Sequence, residues 1–234
     1  MSQVSTQNVS CPHCNHEQNF TFWNSLNANL DPDAKQSLMD GSLFRFKCEK
    51  CGYEANVNYN ILYHDMDHDT MVYLVDANST EDVAKVMSAM SQYLIADKDA
   101  SGVSAELAKT RNRVVANANR LREKAIILDA GLDDRIVEIV KLLCWMEAVK
   151  EIPDVKEDEL YFNVSDDGTW IVQVLGRGIS CNVPKTMYDG IYSQFMPIFD
   201  KIGDNELVVD HNFAGIVCKA YNDAHKEAND KKQW

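Results

Sequence analysis

The sequence predicts an α+β protein in three parts. These are an N-terminal antiparallel sheet with a helical insertion (residues 1–76), a central helical region (77–150) and a small C-terminal α+β unit (151–234). Three observations predict it. Two Cys-x-x-Cys pairs, Cys11/Cys14 and Cys48/Cys51, lie among short stretches of strand-like alternation. Apolar residues then recur at helical spacing, as in Val83, Val86, Met87, Met90, Tyr93 and Leu94. Near the C-terminus the turn signal Ser165-Asp166-Asp167-Gly168 separates two apolar runs, the pattern of a hairpin.

Each element has a local reason. Residues 10–18 read as a turn, and Phe20, Phe22 and Trp23 after them as a strand. Asp31-Pro32-Asp33 starts a short helix, with an acid at the cap and proline where its missing N–H costs nothing, and Gly41 ends it. Strands are expected over 43–48, 53–63 and 70–75. Ser79-Thr80-Glu81-Asp82 opens a helix, and after the Ala100-Ser101-Gly102 break a longer one is expected over 104–128, closed by Gly131. Asp133-Asp134 opens a third helix whose Ile136, Val137, Ile139, Val140 and Leu143 form a wide apolar face. The acidic stretch 151–159 reads as a linker. Beyond it come strands over 160–164 and 169–174, a helix after Pro184, a short strand over 207–209 and a last helix capped by Asp210.

Composition narrows the function. The chain has 234 residues, 45% hydrophobic and 25% charged, and a net charge of −13 spread along its length. Phosphate-backbone binding relies on Lys and Arg displacing counterions, so nucleic acid is the least favoured partner, unless Arg45, Lys47 and Lys50 concentrate charge locally. The N-terminal residues show no basic and apolar leader pattern, and the apolar runs are too short for a bilayer. Seven cysteines, four of them in paired motifs, argue against a disulfide framework and for the cytoplasm. Cys144, Cys181 and Cys218 are expected to be small buried hydrophobes.

The strongest chemical signal is Cys11-Pro12-His13-Cys14 followed by Cys48-Glu49-Lys50-Cys51-Gly52. A Cys-x-x-Cys turn aims two thiolates at one ion, and two such turns close a tetrahedral four-sulfur site. Gly52 after the second pair and Asn15 after the first are the residue types that best adopt positive φ, which lets backbone N–H groups face sulfur. The pairs are separated by 33 residues (15–47), more than the roughly 15 to 20 of compact sites. The predicted helix supplies the excess, so the segment reads as zinc-ribbon-like with a helical insertion. One structural Zn²⁺ per chain is expected, on Cys11, Cys14, Cys48 and Cys51; tetrahedral thiolate would also suit iron. His13 and His16 are expected to be exposed turn residues.

Taken together, Cys11-Pro12-His13-Cys14, Gly41-Ser42-Leu43, Cys48-Glu49-Lys50-Cys51-Gly52 and Ile61-Leu62-Tyr63-His64-Asp65 resemble the bacterial CpXC-domain family. Leu121-Arg122-Glu123-Lys124 and Leu128-Asp129-Ala130-Gly131-Leu132-Asp133-Asp134-Arg135 look like the segment C-terminal to that domain in longer members. The resemblance covers about the first 75 residues and departs at Glu49, where a proline is expected. It implies the metal site and no reaction.

Other candidates are weaker. His64, Asp65, Asp67, His68 and Asp69 could gather a second divalent ion, but a strand sends His64 and Asp65 to opposite faces, and a solvated turn is the better reading. Asp129-Ala130-Gly131-Leu132-Asp133-Asp134 lacks the calcium-loop spacing and reads as one helix end followed by the next helix cap. Gly176-Arg177-Gly178 reads as a hairpin turn, not a phosphate loop. Ser180, Cys181 and His211 compose no evident nucleophile–base arrangement. The leading expectation is a non-enzymatic module that recognises a protein partner, with no membrane role. A ligand-binding or catalytic site between the helices and the hairpin of the C-terminal half is the second.

Overall fold

The structure, a computed structural model, describes residues 2–75 and 110–230. The helix expected to open at Ser79 and the break at Ala100-Ser101-Gly102 lie outside them. The described residues form ten strands in three sheets and five α-helices, an α+β fold. Two compact units emerge: one runs to Arg122 and takes in Asn205–Leu207, and the other comprises Glu123–Asp204 and the residues from Val208 on. No helix among the described residues is long and apolar enough to cross a membrane.

In the first unit, β1 (Gln3–Ser10) and β2 (Glu17–Asn27) form an antiparallel hairpin. β1 escaped the sequence reading because it is a sheet edge whose residues are mostly exposed and polar, leaving no apolar alternation. Helix α1 (Pro32–Met39) comes next, burying Ala34 and Leu38, and stops as Gly41 turns to φ 79°. Asp31 precedes it as expected, yet its carboxylate accepts from the Ser2 hydroxyl and makes no bond to the helix amides.

β3 (Arg45–Lys47) and β4 (Glu54–Asn56) make a separate two-stranded ribbon. The expected strand over 43–48 is thus half 3-10 turn: Ser42–Phe44 turn and bury Leu43 and Phe44, and only Arg45–Lys47 pair with β4. The expected strand over 53–63 is two strands in different sheets. Between them Val57 donates to the Phe44 carbonyl (2.7 Å), and Tyr59 packs on Phe22 and Phe44 with ring centroids at 5.2 and 5.0 Å.

β5 (Ile61–Asp65) and β6 (Thr70–Leu74) alternate strictly between buried and half-buried residues, and β7 (Arg111–Val115) completes the sheet β1-β2-β5-β6-β7. That sheet is mixed. β2–β5 and β6–β7 pair parallel, each across a long connection of the kind a parallel pair requires. β7 lies inside the stretch expected to be helical over 104–128. The β-branched Val114-Val115 and the cap residue Asn117, whose Oδ1 accepts from Arg120 N (2.9 Å), mark where strand ends and helix begins. Pairing with β6 outweighs the local helical pattern. The buried Arg113 Nη1 donates to the Glu206 carbonyl (2.8 Å) and Val114 N to that of Leu207 (2.7 Å), which assigns Asn205–Leu207 to this unit. The expected strand over 207–209 is reduced to that contact.

The second unit holds most of α2 (Ala118–Asp129), then α3 (Asp134–Glu151), the sheet of β8 (Leu160–Val164), β9 (Trp170–Val174) and β10 (Ile179–Asn182), α4 (Lys185–Ile202) and α5 (His211–Asp230). Gly131, at φ 67°, closes α2, and the Asp133 carboxylate then caps α3 by accepting from Arg135 N (2.9 Å). α3 is buried on every side from Asp134 to Lys141, charges included. It packs against α4, α5 and β8.

Those charges pair among themselves. Lys141 Nζ lies 2.8 Å from Glu123 and 2.9 Å from Glu138, and Lys124 Nζ lies 2.8 Å from Asp134 and 3.7 Å from Glu138. Lys124 also donates to the Val209 carbonyl (2.8 Å), while Glu123 accepts from Phe162 N (2.6 Å). α2, α3, β8 and the lead into α5 are thereby tied at one polar centre inside an apolar shell. Removing one member strands the others in low dielectric. Lys141→Met should therefore cost about 3–5 kcal/mol, read as a lowered guanidinium midpoint by circular dichroism. Lys150→Met, at an exposed pair with Glu147, should leave the midpoint unchanged.

Candidate metal centre

Both cysteine pairs sit at the tips of antiparallel hairpins, and both tips share one plan. In the first, Ser10 pairs with Glu17 at the ends of β1 and β2. Cys11 N donates to the His16 carbonyl (2.8 Å), and Asn15 N returns to the Cys11 carbonyl (2.9 Å). In the second, Lys47 pairs with Glu54 at the ends of β3 and β4. Cys48 N donates to the Tyr53 carbonyl (2.8 Å), and Gly52 N returns to that of Cys48 (2.9 Å). The residue after each second cysteine takes positive φ, 55° at Asn15 and 71° at Gly52. Asparagine and glycine are the residues that adopt this conformation at least cost, so the reading of those two positions holds.

The tips face each other. One ligand atom from each of Cys11, Cys14, Cys48 and Cys51 falls within 4.8 Å of the other three, an arrangement that could hold a metal ion. Across the tips, Cys11 Sγ is 3.7 Å from Cys51 Sγ and Cys14 Sγ 3.6 Å from Cys48 Sγ. Cys11 and Cys48 are buried on a small apolar base of Phe46, Val9, Phe20 and Val57, while Cys51 is exposed. The Gln18 amide clamps the tips from the side: it donates to the Lys47 carbonyl (2.9 Å) and accepts from Glu49 N (2.8 Å). On the outer face the His13 and Tyr53 rings lie parallel, centroids 5.9 Å apart.

The electrostatics are uneven around the four sulfurs. Burial works against the Cys48 thiolate, but the N–H groups of Cys51 and Lys50 and the neighbouring sulfurs outweigh it and bring this thiol down to about 6. At Cys51 the Tyr53 N–H favours the thiolate, while partial desolvation and the three other sulfurs override it and push the thiol up to about 12. Cys48 thus ionises more readily than Cys51, and the thiolate is the form that binds metal. Lys47 pairs with Glu54 at 2.8 Å, which neutralises part of the basic trio Arg45, Lys47 and Lys50.

Elsewhere the structure separates residues that the sequence had placed side by side. His13 is exposed as expected, whereas His16 is half-buried and enters the turn through its carbonyl. Among the described residues no group containing His64, Asp65, Asp67, His68 or Asp69 converges as metal ligands. Asp65 is buried and caps the turn, accepting from His68 N (3.2 Å) and lying 2.9 Å from His68 Nδ1. His64 is half-buried; desolvation lowers its pKa, against the raising effect of Asp65 and Asp69. The 129–134 stretch is a helix end and a cap, and Gly176 and Gly178 turn β9 into β10 at φ 75° and 64°. Of the three remaining cysteines only Cys144 is buried; Cys218 is half-buried and Cys181 exposed. Gln18 escaped the sequence reading, since only the facing of the tips gives its amide two partners.

A Cβ at Gly52 would meet nothing within 4 Å, so its role is conformational alone. Gly52→Ala should destabilise the folded ribbon by about 1 kcal/mol through positive φ, whereas Gly52→Asn should cost measurably less. Thermal denaturation of the two variants beside the wild type reads the difference.

No curated protein and no solved structure matches the chain. The family model described as CpXC protein matches residues 9–141, which take in both cysteine pairs, α1, β2 to β7, α2 and α3 as far as Lys141. The match reaches well past the first 75 residues and includes Glu123, Lys124, Asp134, Glu138 and Lys141 of the buried ion network. With more than half of its length inside that model, the chain belongs to the CpXC protein family.

Proposed function

We propose that this protein is a non-enzymatic interaction module whose N-terminal sheet is held by one structural zinc ion on Cys11, Cys14, Cys48 and Cys51. The convergence of four thiols within 4.8 Å from two hairpin tips carries this reading. Four sulfur ligands fill a tetrahedral shell and leave no position for a substrate or an activated water, which suits a structural ion rather than a catalytic one. Zinc is favoured over iron because it matches the four-thiolate set without redox chemistry. Cysteines kept reduced as ligands fit the cytoplasm.

The expected partner is a protein. The chain carries a net charge of −13, and Arg45 and Lys50 near the second tip are too few to anchor a phosphate backbone. Large apolar side chains, in contrast, are presented to solvent in the first unit: Leu30 is 62% exposed and Met66 52%. Such residues serve protein contacts better than ionic ones.

Elemental analysis of the purified chain should give one zinc per molecule, and chelation should collapse the N-terminal hairpins because metal binding is coupled to their folding. A red, iron-containing protein would overturn the zinc assignment. Unchanged circular dichroism and protease resistance after metal removal would overturn the structural role. Gln18→Ala, which removes the clamp but no ligand, should weaken zinc affinity by about tenfold, measured by competition with a chromophoric chelator.

A further inference from the structure

Cys144 and Cys181 lie 37 positions apart, yet the fold brings their sulfurs to 3.5 Å. Cys144 sits on α3, buried among the residues that pack that helix. Cys181 sits on β10, the outermost strand of the three-stranded sheet, and is exposed. A disulfide needs sulfurs at about 2.05 Å, so closing the bond asks each side chain to move by less than about 1 Å. Neither thiol belongs to the four-sulfur cluster. An exposed thiol in van der Waals contact with a buried one is the geometry of an attacking and a resolving cysteine.

We infer that Cys181 and Cys144 form a reversible thiol–disulfide site that reacts with low-molecular-weight disulfides. The Cys181 thiolate attacks one sulfur of the small disulfide; a Cys181 mixed disulfide forms and one small thiolate leaves. Cys144 sulfur then attacks the Cys181 sulfur and expels the second small thiolate, which takes up the Cys144 proton. Two protein thiols are oxidised to one disulfide, and one small disulfide is reduced to two thiols.

The order of attack is set by the surroundings. Burial raises the Cys144 thiol to about 12, so it does not initiate. Its contact with Cys181 substitutes for acidity in the second step, because an attack between fixed neighbours proceeds at high effective concentration. Closure would join α3 to the β10 edge of the β10-β9-β8 sheet.

The test uses the full chain and oxidised glutathione, followed by thiol blocking, non-reducing digestion and mass spectrometry. The wild type should yield a cross-linked pair of peptides carrying Cys144 and Cys181, reversed by dithiothreitol. In Cys144→Ala, glutathione should remain on Cys181 and accumulate about tenfold above wild type, because the intramolecular step is lost. In Cys181→Ser, an exposed change that leaves the core intact, Cys144 should acquire neither glutathione nor a cross-link. A stable Cys181–glutathione adduct in the wild type, with Cys144 still free, would overturn the inference. So would glutathionylation of Cys144 in Cys181→Ser, which keeps the test decisive should Cys144→Ala not fold.

Discussion

Four sulfurs packed within 4.8 Å of one another impose a charge problem on everything around them. Four thiolates repel, so such a cluster persists only with protons or a cation among them. The surroundings bear the mark of that demand. N–H groups turn toward Cys48 and hold its thiol near 6, while Cys51, facing three sulfurs, is driven to about 12. Two hairpin tips built on the same amide-to-carbonyl pattern meet there, and the Gln18 amide joins them at the side. Beneath lies only a base of Phe46, Val9, Phe20 and Val57, a small core for the three-residue strands β3 and β4. The four thiols above so little apolar surface could hold a metal ion.

The second unit solves a charge problem by the opposite means. Glu123, Lys124, Asp134, Glu138 and Lys141 are all buried, at 1% to 5% exposure, and pair among themselves. Such networks contribute little net stability compared with apolar packing, but breaking one is costly. Their value is positional. The register of α2 against α3 satisfies both lysines, and the placement of β8 lets Phe162 N reach Glu123. The family match over residues 9–141 takes in all five residues.

Local chemistry in the sequence located a good part of this structure. Pro32 and Gly41 bracket α1, Gly131 and Asp133 separate α2 from α3, and Gly168 closes the β8–β9 hairpin, because each acts through its own backbone or a cap one turn away. The readings that failed depended on distant partners. β1 is polar because it is an edge, and β7 is a strand because β6 lies beside it, despite a helix-like run of residues. Residues 53–63 divide between two sheets because Val57 and Tyr59 dock on the Phe44 turn. Cys181, expected in the core, sits exposed on the edge strand that follows the Gly176-Arg177-Gly178 turn.

By itself, then, the sequence determined the four-cysteine set: Cys-x-x-Cys spacing and the positive-φ residues after it are properties of four or five consecutive positions. It likewise determined the α+β class, the helix boundaries with strong caps and the excess of acid. Only the tertiary structure decided that Gln18 clamps the two knuckles, that α3 buries its charges as well as its apolar face, and that Cys144 meets Cys181. The physical reason is common to all three. Each depends on contacts between residues far apart in the chain, and no periodicity or propensity within one segment records which distant surface it will meet.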